Sequence, residues 1–489
     1  MNQSLFGSTI ATKNIKELLS RIYDVSARKD SLFERAHSFF SGVDQAELTQ
    51  LQQQIEALEQ KLLTAGKTAQ SKVEARLLEC RQQQKDKQRQ LEELRVDRVR
   101  QLKQLARMLL TQSLGDTPQE SQLLAARALG TIQLLSPSSG KQVASVNQRH
   151  KHAYKAILAL VLLDRLLALK LIKNRYVLQK WHDSQQAKQQ QTASDYDPFL
   201  EEVQLPLVMA LLLQDIGLQH PAAQLILKGE DGSLDEFRIL QPAERQALLH
   251  ISYQQSQDYL ALGLGADSYI GNSKAERALY QEMEQDRLNF ISHLLKSAIT
   301  PEEGIGNLLK IPQVYVSVVL PCKQNYKYEQ LPKVSAILKA GVGKGWYPAT
   351  IVDALLDITG AFPQGYGVTY IPKDSDNKDL DRYEYAIVNG LYPADIEQPI
   401  CRTATRNLTY HSSGVNLVIS TDNNLYFSPA QQKLEKMSEE RLLEILSKLA
   451  SNFTERSQLD LIPKCWHPDE FFTYLKNQNL WNKADTYRN

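Results

Sequence analysis

A long stretch of the chain, residues 44–112, contains no proline and a single glycine, Gly66. It is rich in Gln, Leu, Lys, Arg and Glu, a composition typical of long helices. Its apolar residues follow the spacing of a coiled-coil seam and resume it after a shift: Leu48, Leu51, Ile55, Leu58 and Leu62, then Leu91, Leu94, Val99, Leu102, Ala106 and Leu109. The pattern predicts either one interrupted helix, up to about 100 Å long, or a hairpin that turns near Gly66. We favour a parallel dimer or signal-transmitting stalk over a hairpin packed on its own chain.

The overall charge gives no reason to expect a nucleic-acid partner. The chain has 489 residues, with 57 Lys plus Arg against 56 Asp plus Glu, a formal net charge of +1. A sequence-wide field that attracts polyanions is therefore absent. The cysteines, Cys80, Cys322, Cys401 and Cys465, form no CxxC pair, so neither a zinc ribbon nor a disulfide framework is indicated.

The apolar segments predict a cytoplasmic protein without a membrane span. The N-terminus lacks the basic run, apolar stretch and small-residue cleavage site of a secretory signal. The most apolar stretch, residues 157–172, contains Asp164, Arg165 and Lys170. Each of these would cost a few kcal/mol at the centre of a bilayer, so we interpret the stretch as a buried core helix.

The pattern of apolar, glycine and proline residues along the chain predicts a mainly α fold with a smaller α+β or β-rich region toward the C-terminus. Residues 311–430 contain short apolar runs between glycines and prolines, among them VYVSVVL, GYGVTYIP, EYAIVNGLY and VNLVIS, which are typical of strands. A last helix is predicted over residues 434–453. The predicted segments are a helical start (1–43), the coiled coil (44–112), a central all-helical domain (113–310), the β-containing region (311–430) and a C-terminal helical segment (431–489).

Two stretches resemble the HD-type phosphohydrolases, in particular the HD-GYP cyclic-di-GMP phosphodiesterases. VMALLLQDIGLQHPAAQLILKG (208–229) resembles the helix that ends in His-Asp-Ile-Gly-Lys in that family, and YPATIVDALLDITGAFPQGYGVTYI (347–371) resembles its closing helix and glycine turn. The resemblance spans roughly residues 150–430. It implies an HD-like helical domain in a bacterial signalling protein, with divalent iron or manganese that activates a water for attack on phosphorus.

The same resemblance shows where this chain departs from the family's metal site. Gln214 stands in place of the histidine of the His-Asp pair, Asp215 is retained, and Leu218 replaces the lysine. The first family histidine corresponds to His152 or His150, and Ser252 falls about where a further metal-binding histidine is expected. No GYP triplet occurs in residues 270–300. An amide oxygen does not replace imidazole toward transition metals, so we predict that no metal or other cofactor is bound.

Ordinary structural roles compete with chemical ones at these positions. A carboxylate such as Asp215 can cap the following helix or pair with a neighbouring base, and we favour these roles over metal binding. His220, His250 and His293 are predicted to be surface or satisfied core residues.

RTATR (402–406) has the two-arginine spacing of PilZ domains, which bind cyclic-di-GMP. Paired guanidinium groups on Arg402 and Arg406 could hold phosphate. The partner motif of that family is missing, and a surface strand is the preferred interpretation.

The sequence thus predicts a catalytically inactive HD-GYP-like scaffold or signalling protein that acts through protein contacts as a coiled-coil dimer with an unidentified protein partner. One alternative is a divergent metal-dependent phosphodiesterase that uses His152, Asp215 and His250. Another is a cyclic-di-GMP sensor without hydrolysis, with Arg402 and Arg406 as phosphate contacts.

Overall fold

The computed structural model describes residues 9–190, 196–299, 304–323, 326–449 and 461–482. In these ranges the fold is mainly helical, with a small antiparallel sheet toward the C-terminus, as predicted. The chain forms two compact units, each discontinuous in sequence. The first unit comprises Met1–Ser20, Met108–Leu211 and Lys296–Asn489, and the second comprises Arg21–Arg107 and Leu212–Leu295.

The described α-helices are, in chain order, α1 (Ile10–Ile22), α2 (Leu32–Phe40), α3 (Val43–Thr64), α4 (Lys67–Ser113), α5 (Pro118–Leu134), α6 (Val143–Ala168), α7 (Arg175–Gln189), α8 (Leu205–Leu213), α9 (Pro221–Lys228), α10 (Pro242–Asp258), α11 (Lys274–Ser297), α12 (Asn307–Val319), α13 (Val334–Gly343), α14 (Ala349–Thr359), α15 (Ser428–Leu434), α16 (Glu439–Leu449) and α17 (Asp469–Thr473). Short 3-10 segments include Ile216–Gln219, and π-helical segments cover Leu200–Gln204 and Tyr259–Leu264.

In the second unit, α3 and α4 form an antiparallel hairpin that turns at Ala65 and Gly66. Lys87 of α4 contacts Asp44 at 2.8 Å, whereas Arg81, six residues earlier, contacts Glu59 at 2.7 Å. The partners run in opposite directions along the two helices, and Ile55, Leu77 and Cys80 form the buried centre between them. The hairpin alternative is therefore the one formed, and our preference for a helix that pairs in parallel with a second copy is wrong for this segment. Self-association of the chain stays a prediction.

Three further helices of the second unit, α2, α9 and α10, have recognisable N-terminal signals. Ser31 and Glu34 form a reciprocal capping box at the start of α2, which satisfies backbone N–H groups that have no partner within the helix. Pro221 and Pro242 occupy the first positions of α9 and α10, where the missing N–H costs nothing. The 3-10 segment Ile216–Gln219 packs against α10.

The centre of the first unit is α6, which is buried without interruption from His152 to Leu163. It packs against α5, α12 and α14, and a helix apolar on all sides is stable only when surrounded in this way. The prediction of a core helix in this stretch is confirmed: α6 continues to Ala168, and its uninterrupted burial ends at Leu163. Full burial of each leucine contributes roughly 1.5–3 kcal/mol.

The sheet of the first unit has the order β1-β2-β3-β6 and is antiparallel throughout. Its strands are β1 (Gly367–Tyr370), β2 (Glu384–Val388), β3 (Ile400–Thr403) and β6 (Asn416–Val418), and β4 (Thr405–Arg406) pairs separately with β5 (Thr409–Tyr410). Asn407 and Leu408 join β4 to β5 with φ values of 49° and 63°, the positive pair typical of a tight hairpin turn. Strands predicted in GYGVTYIP, EYAIVNGLY and VNLVIS are confirmed.

One predicted strand is wrong, and one predicted helix begins later in the chain than expected. VYVSVVL was expected as a strand because it is rich in β-branched residues, but it lies in α12 up to Val319. Packing of α12 on α6 outweighs the weak intrinsic preference of valine for strands. The helix predicted over residues 434–453 is confirmed over α16 (Glu439–Leu449). Leu434, where it was expected to begin, is the last residue of α15, and α16 begins after Ser438, whose Oγ accepts from the N–H of Arg441 at 3.3 Å. Residues 450–453 lie outside the described ranges.

Among the described helices, none combines the length and the apolar character needed to cross a membrane.

Candidate functional site

The Gln214-Asp215 pair lies at the turn that follows α8. Gln214 is partly exposed, and Asp215 is 8% exposed with φ −111° and ψ 8°. The carbonyl of Asp215 accepts from the N–H of Leu218 at 3.2 Å, which closes the first turn of Ile216–Gln219. The sequence therefore identified the position of the turn correctly.

Gly217 brings this turn into backbone contact with α10. Its N–H donates to Ser256 Oγ at 3.0 Å. A Cβ atom at Gly217 would lie 2.1 Å from the Ser252 carbonyl oxygen and 2.9 Å from the Ser256 nitrogen, so only glycine allows this approach. The part of α10 around Ser252, where the resemblance implies a metal-binding histidine, is thus packed against the main chain of the turn.

Asp215 does not cap the following helix, which corrects one of the two structural roles that we preferred for it. Its side chain makes no capping hydrogen bond to Ile216–Gln219. The cap of α9 is His220 instead, whose Nδ1 accepts from the N–H of Ala222 at 3.1 Å. Burial lowers the pKa of His220, which favours the neutral ring that can accept this bond. The ring of His220 also packs edge-on against the ring of Phe40, with 5.4 Å between the ring centroids.

The other positions that the resemblance to HD-type phosphohydrolases singles out are occupied by residues in ordinary structural settings. Leu218 is partly exposed, and its carbonyl accepts from Gln224 Nε2 at 2.7 Å. Ser252 is 5% exposed in α10, whereas His250, two residues earlier, is exposed. His293 is half-buried in α11. In the part of the chain that the structure describes, no group of three or more His, Cys, Asp or Glu residues is placed to hold a metal ion.

The candidates for the first family histidine belong to α6 of the first unit. His152 is completely buried. His150 lies 2.8 Å from Ser136 Oγ through its Nδ1, and burial, assisted by the positive charge of Arg149, lowers the pKa of His150 to about 3.

The lowered pKa of His150 predicts a specific loss of stability in acid. The unfolded chain binds a proton near pH 6.5, but the folded chain stays neutral at this residue until about pH 3. The contribution of His150 to the free energy of unfolding is therefore fully present above pH 6.5 and is lost as the pH falls from 6.5 toward 3. Between pH 6.5 and 5, the unfolding free energy should fall by up to about 1.5 kcal/mol more in the unmodified chain than in His150→Gln. Urea denaturation at both pH values measures this, and parallel pH profiles would contradict it.

Arg402 and Arg406 do not form an exposed pair. Arg402 lies on β3 and is 4% exposed, whereas Arg406 lies on β4 and is exposed. Arg402 pairs across the sheet with Ile387 and Asn416, while Arg406 pairs with Thr409 of β5. The two guanidinium groups therefore belong to different strand pairs and to different environments.

A buried charged cluster in the second unit was not predicted from the sequence. Lys103 of α4 contacts Asp267 at 2.9 Å and Glu284 of α11 at 2.8 Å. Arg287 pairs with the other oxygen of Glu284. Burial lowers the pKa of Lys103 to about 8, and the nearby charge of Arg287 acts in the same direction. More than 160 residues separate Lys103 from its partners, so no local pattern could have found the cluster.

Two further arginines of α4 hold the end of the π-helical segment Tyr259–Leu264. Arg95 donates to the carbonyls of Leu264 and Ala266, the latter at 2.7 Å, and Arg98 donates to that of Gly263 at 2.9 Å. Cations near a helix C-terminus satisfy carbonyls that have no intrahelical partner. Together with Lys103, these contacts fix the base of the hairpin within the second unit.

Comparison of the chain with protein-family models, with curated proteins and with solved structures finds no match in any of the three.

Proposed function

We propose that this chain is a non-catalytic scaffold protein of bacterial signalling, with an HD-GYP-like domain, that acts by binding other proteins. The α3–α4 hairpin is its contact element, and pairing of two hairpins joins two copies of the chain. The observation that carries the proposal is the incomplete burial of the hairpin's own apolar seam.

The apolar seam of α3 is only partly covered within the chain: Leu48 and Leu51 keep part of their surface exposed. A helix of 22 residues, the length of α3, offers about six seam positions in a coiled coil. Only Ile55 of α3 is buried, and Leu58 and Leu62 are partly covered. Near the turn, Leu63 is 87% exposed and Leu78 is 72% exposed. Apolar surface of this kind favours association with another surface.

The polar contacts across the hairpin do not compensate for the thin apolar centre. The side chains of the Arg81–Glu59 pair are 57% and 45% exposed, and such pairs contribute about 0–1 kcal/mol. At the base of the hairpin, Leu48 and Leu91 line an open groove of about 300 Å³. A second hairpin laid against the first would bury the remaining seam, in the manner of a four-helix bundle.

The surroundings of Asp215 support the non-catalytic part of the proposal. Gly217 and Ser252 are in main-chain contact, so this part of α10 serves packing of the turn. Gln214 supplies an amide where the family's chemistry needs an imidazole. Hydrolysis of cyclic-di-GMP by the purified protein with added manganese or iron should be absent. Hydrolysis that disappears in Asp215→Ala, with the fold retained, would establish the phosphodiesterase instead.

Replacing both exposed leucines near the hairpin turn should abolish self-association. In Leu63→Glu/Leu78→Glu, like charges would be placed on the surface that we assign to the contact. Because both side chains are exposed in the single chain, the helix content should be unchanged. Light scattering after size exclusion should show the dimer mass for the unmodified chain and the monomer mass for the double variant.

Leu249→Glu is the matched control, because Leu249 is 61% exposed on α10, outside the hairpin. It should keep the dimer mass. A double variant that remains dimeric, or a control that dissociates equally, would place the contact elsewhere.

A further inference from the structure

Arg402 is a buried arginine with few hydrogen bonds. It is 4% exposed, and Nη1 donates to Asn416 Oδ1 at 3.4 Å and to the Asn482 carbonyl at 3.3 Å. Its Nε is buried without a hydrogen-bond partner in the described residues. Within the described residues Nη2 makes no hydrogen bond either, although it keeps some contact with solvent. A guanidinium has five N–H donors, so most of its donor capacity is unused.

No carboxylate of the described residues pairs with Arg402, and burial lowers the pKa of Arg402. Arg382, near the same sheet, provides the contrast. Its Nε contacts Glu384 Oε1 at 3.0 Å and its Nη2 donates to Asn407 at 3.0 Å. A buried charge without a counter-charge is unfavourable, and among the described residues Arg402 is a buried cation without a paired carboxylate.

Two residues that contact Arg402 are exposed to solvent, so an anion could reach the guanidinium from that side. Asn416 is exposed, and its Nδ2 donates no hydrogen bond within the described residues. Its Oδ1 already accepts from Asn389 Nδ2 at 3.0 Å. Asn482 is also exposed and follows Trp481, which is buried. A shift of the Asn482 carbonyl alone would therefore free Nη1 without displacing the Trp481 ring.

We propose that Arg402 and Asn416 form a binding site for an oxyanion of the phosphate or carboxylate type. The anion would displace the Asn482 carbonyl and accept from Nη1 and Nη2 of Arg402 and from Nδ2 of Asn416. Two parallel N–H donors of one guanidinium match two oxygens of such an anion. This site is independent of the proposed hairpin contact, because it lies entirely in the first unit.

Thermal unfolding and calorimetric titration of the full chain test the site, with inorganic phosphate and acetate as probes against chloride at equal ionic strength. Phosphate or acetate should raise the melting temperature with saturation. Arg402→Lys should weaken the affinity at least about tenfold, because an ammonium cannot make the paired contact. Arg382→Lys, the matched control, should bind as the unmodified chain does. Equal binding by Arg402→Lys, or no saturable binding, would overturn the proposal.

Asn416→Asp decides the question if Arg402→Lys does not fold. The new carboxylate would lie beside Nη1 and supply the missing counter-charge from within the chain. It should raise the melting temperature without added anion and remove the further rise that phosphate or acetate causes. A lower melting temperature, or an unchanged response to both anions, would show that Arg402 does not need an anionic partner. A response to only one of the two would identify the type of oxyanion.

Discussion

Gly217→Ala is expected to destabilise the second unit by about 3 kcal/mol or more, at or beyond the upper end of the typical range for overpacking. The added Cβ would lie 2.1 Å from the carbonyl oxygen of Ser252, and this atom belongs to the backbone of α10. A flexible side chain could move aside, but a helix backbone must shift as a whole. The hydrogen bond from the Gly217 N–H to Ser256 Oγ should be lost in the same displacement. The urea midpoint followed by circular dichroism measures the effect.

Gly66→Ala serves as the control in the same unit. No atom lies within 4 Å of the position that a Cβ would take there, so we expect a change within about 1 kcal/mol. If Gly217→Ala unfolds at the same urea concentration as Gly66→Ala, this result would contradict the close packing of the turn on α10.

Lys103→Met is expected to lower the free energy of unfolding by about 3 kcal/mol, at the lower end of the range for breaking a buried ion pair. The methionine would fill similar space but would leave Asp267 and Glu284 without the ammonium between them. The side chains of these two acids are only 9% and 3% exposed, so water could replace little of the lost interaction. Arg287, which pairs with Glu284, keeps the loss below the upper end of the range.

Lys85→Met is the control for this second prediction. Lys85 is exposed on the same helix, and removal of an exposed charge normally changes stability by less than about 0.5 kcal/mol. Urea denaturation of both variants separates the two cases. Equal stability of Lys103→Met and Lys85→Met would show that the buried cluster does not stabilise the base of the hairpin.

The parts of the fold that sequence predicts are those set by local patterns. A continuous apolar run gave the core helix α6, and alternating runs between glycines gave three of the strands. The seam of residues 44–112 predicted helices but not their partner, because the same spacing suits a second chain or the returning arm of a hairpin. The strand predicted in VYVSVVL was wrong, since the packing of α12 on α6 decides its conformation and this contact is invisible in a local window.

The candidate site was predictable to the same limited degree. The end of α8 and the turn at Asp215 follow from the change from apolar to polar residues before Ile-Gly. The sequence did not show that Gly217 meets α10, that His220 rather than Asp215 caps α9, or that Lys103 lies between Asp267 and Glu284. Each of these depends on residues that are brought together only by the tertiary fold.

We propose that the α3–α4 hairpin joins two copies of the chain. Equilibrium sedimentation of the unmodified chain over a range of micromolar concentrations tests it most directly. The mass should be twice the 55.5 kDa of the single chain and should fall to 55.5 kDa in Leu63→Glu/Leu78→Glu. A mass of 55.5 kDa for the unmodified chain at every concentration would contradict the claim.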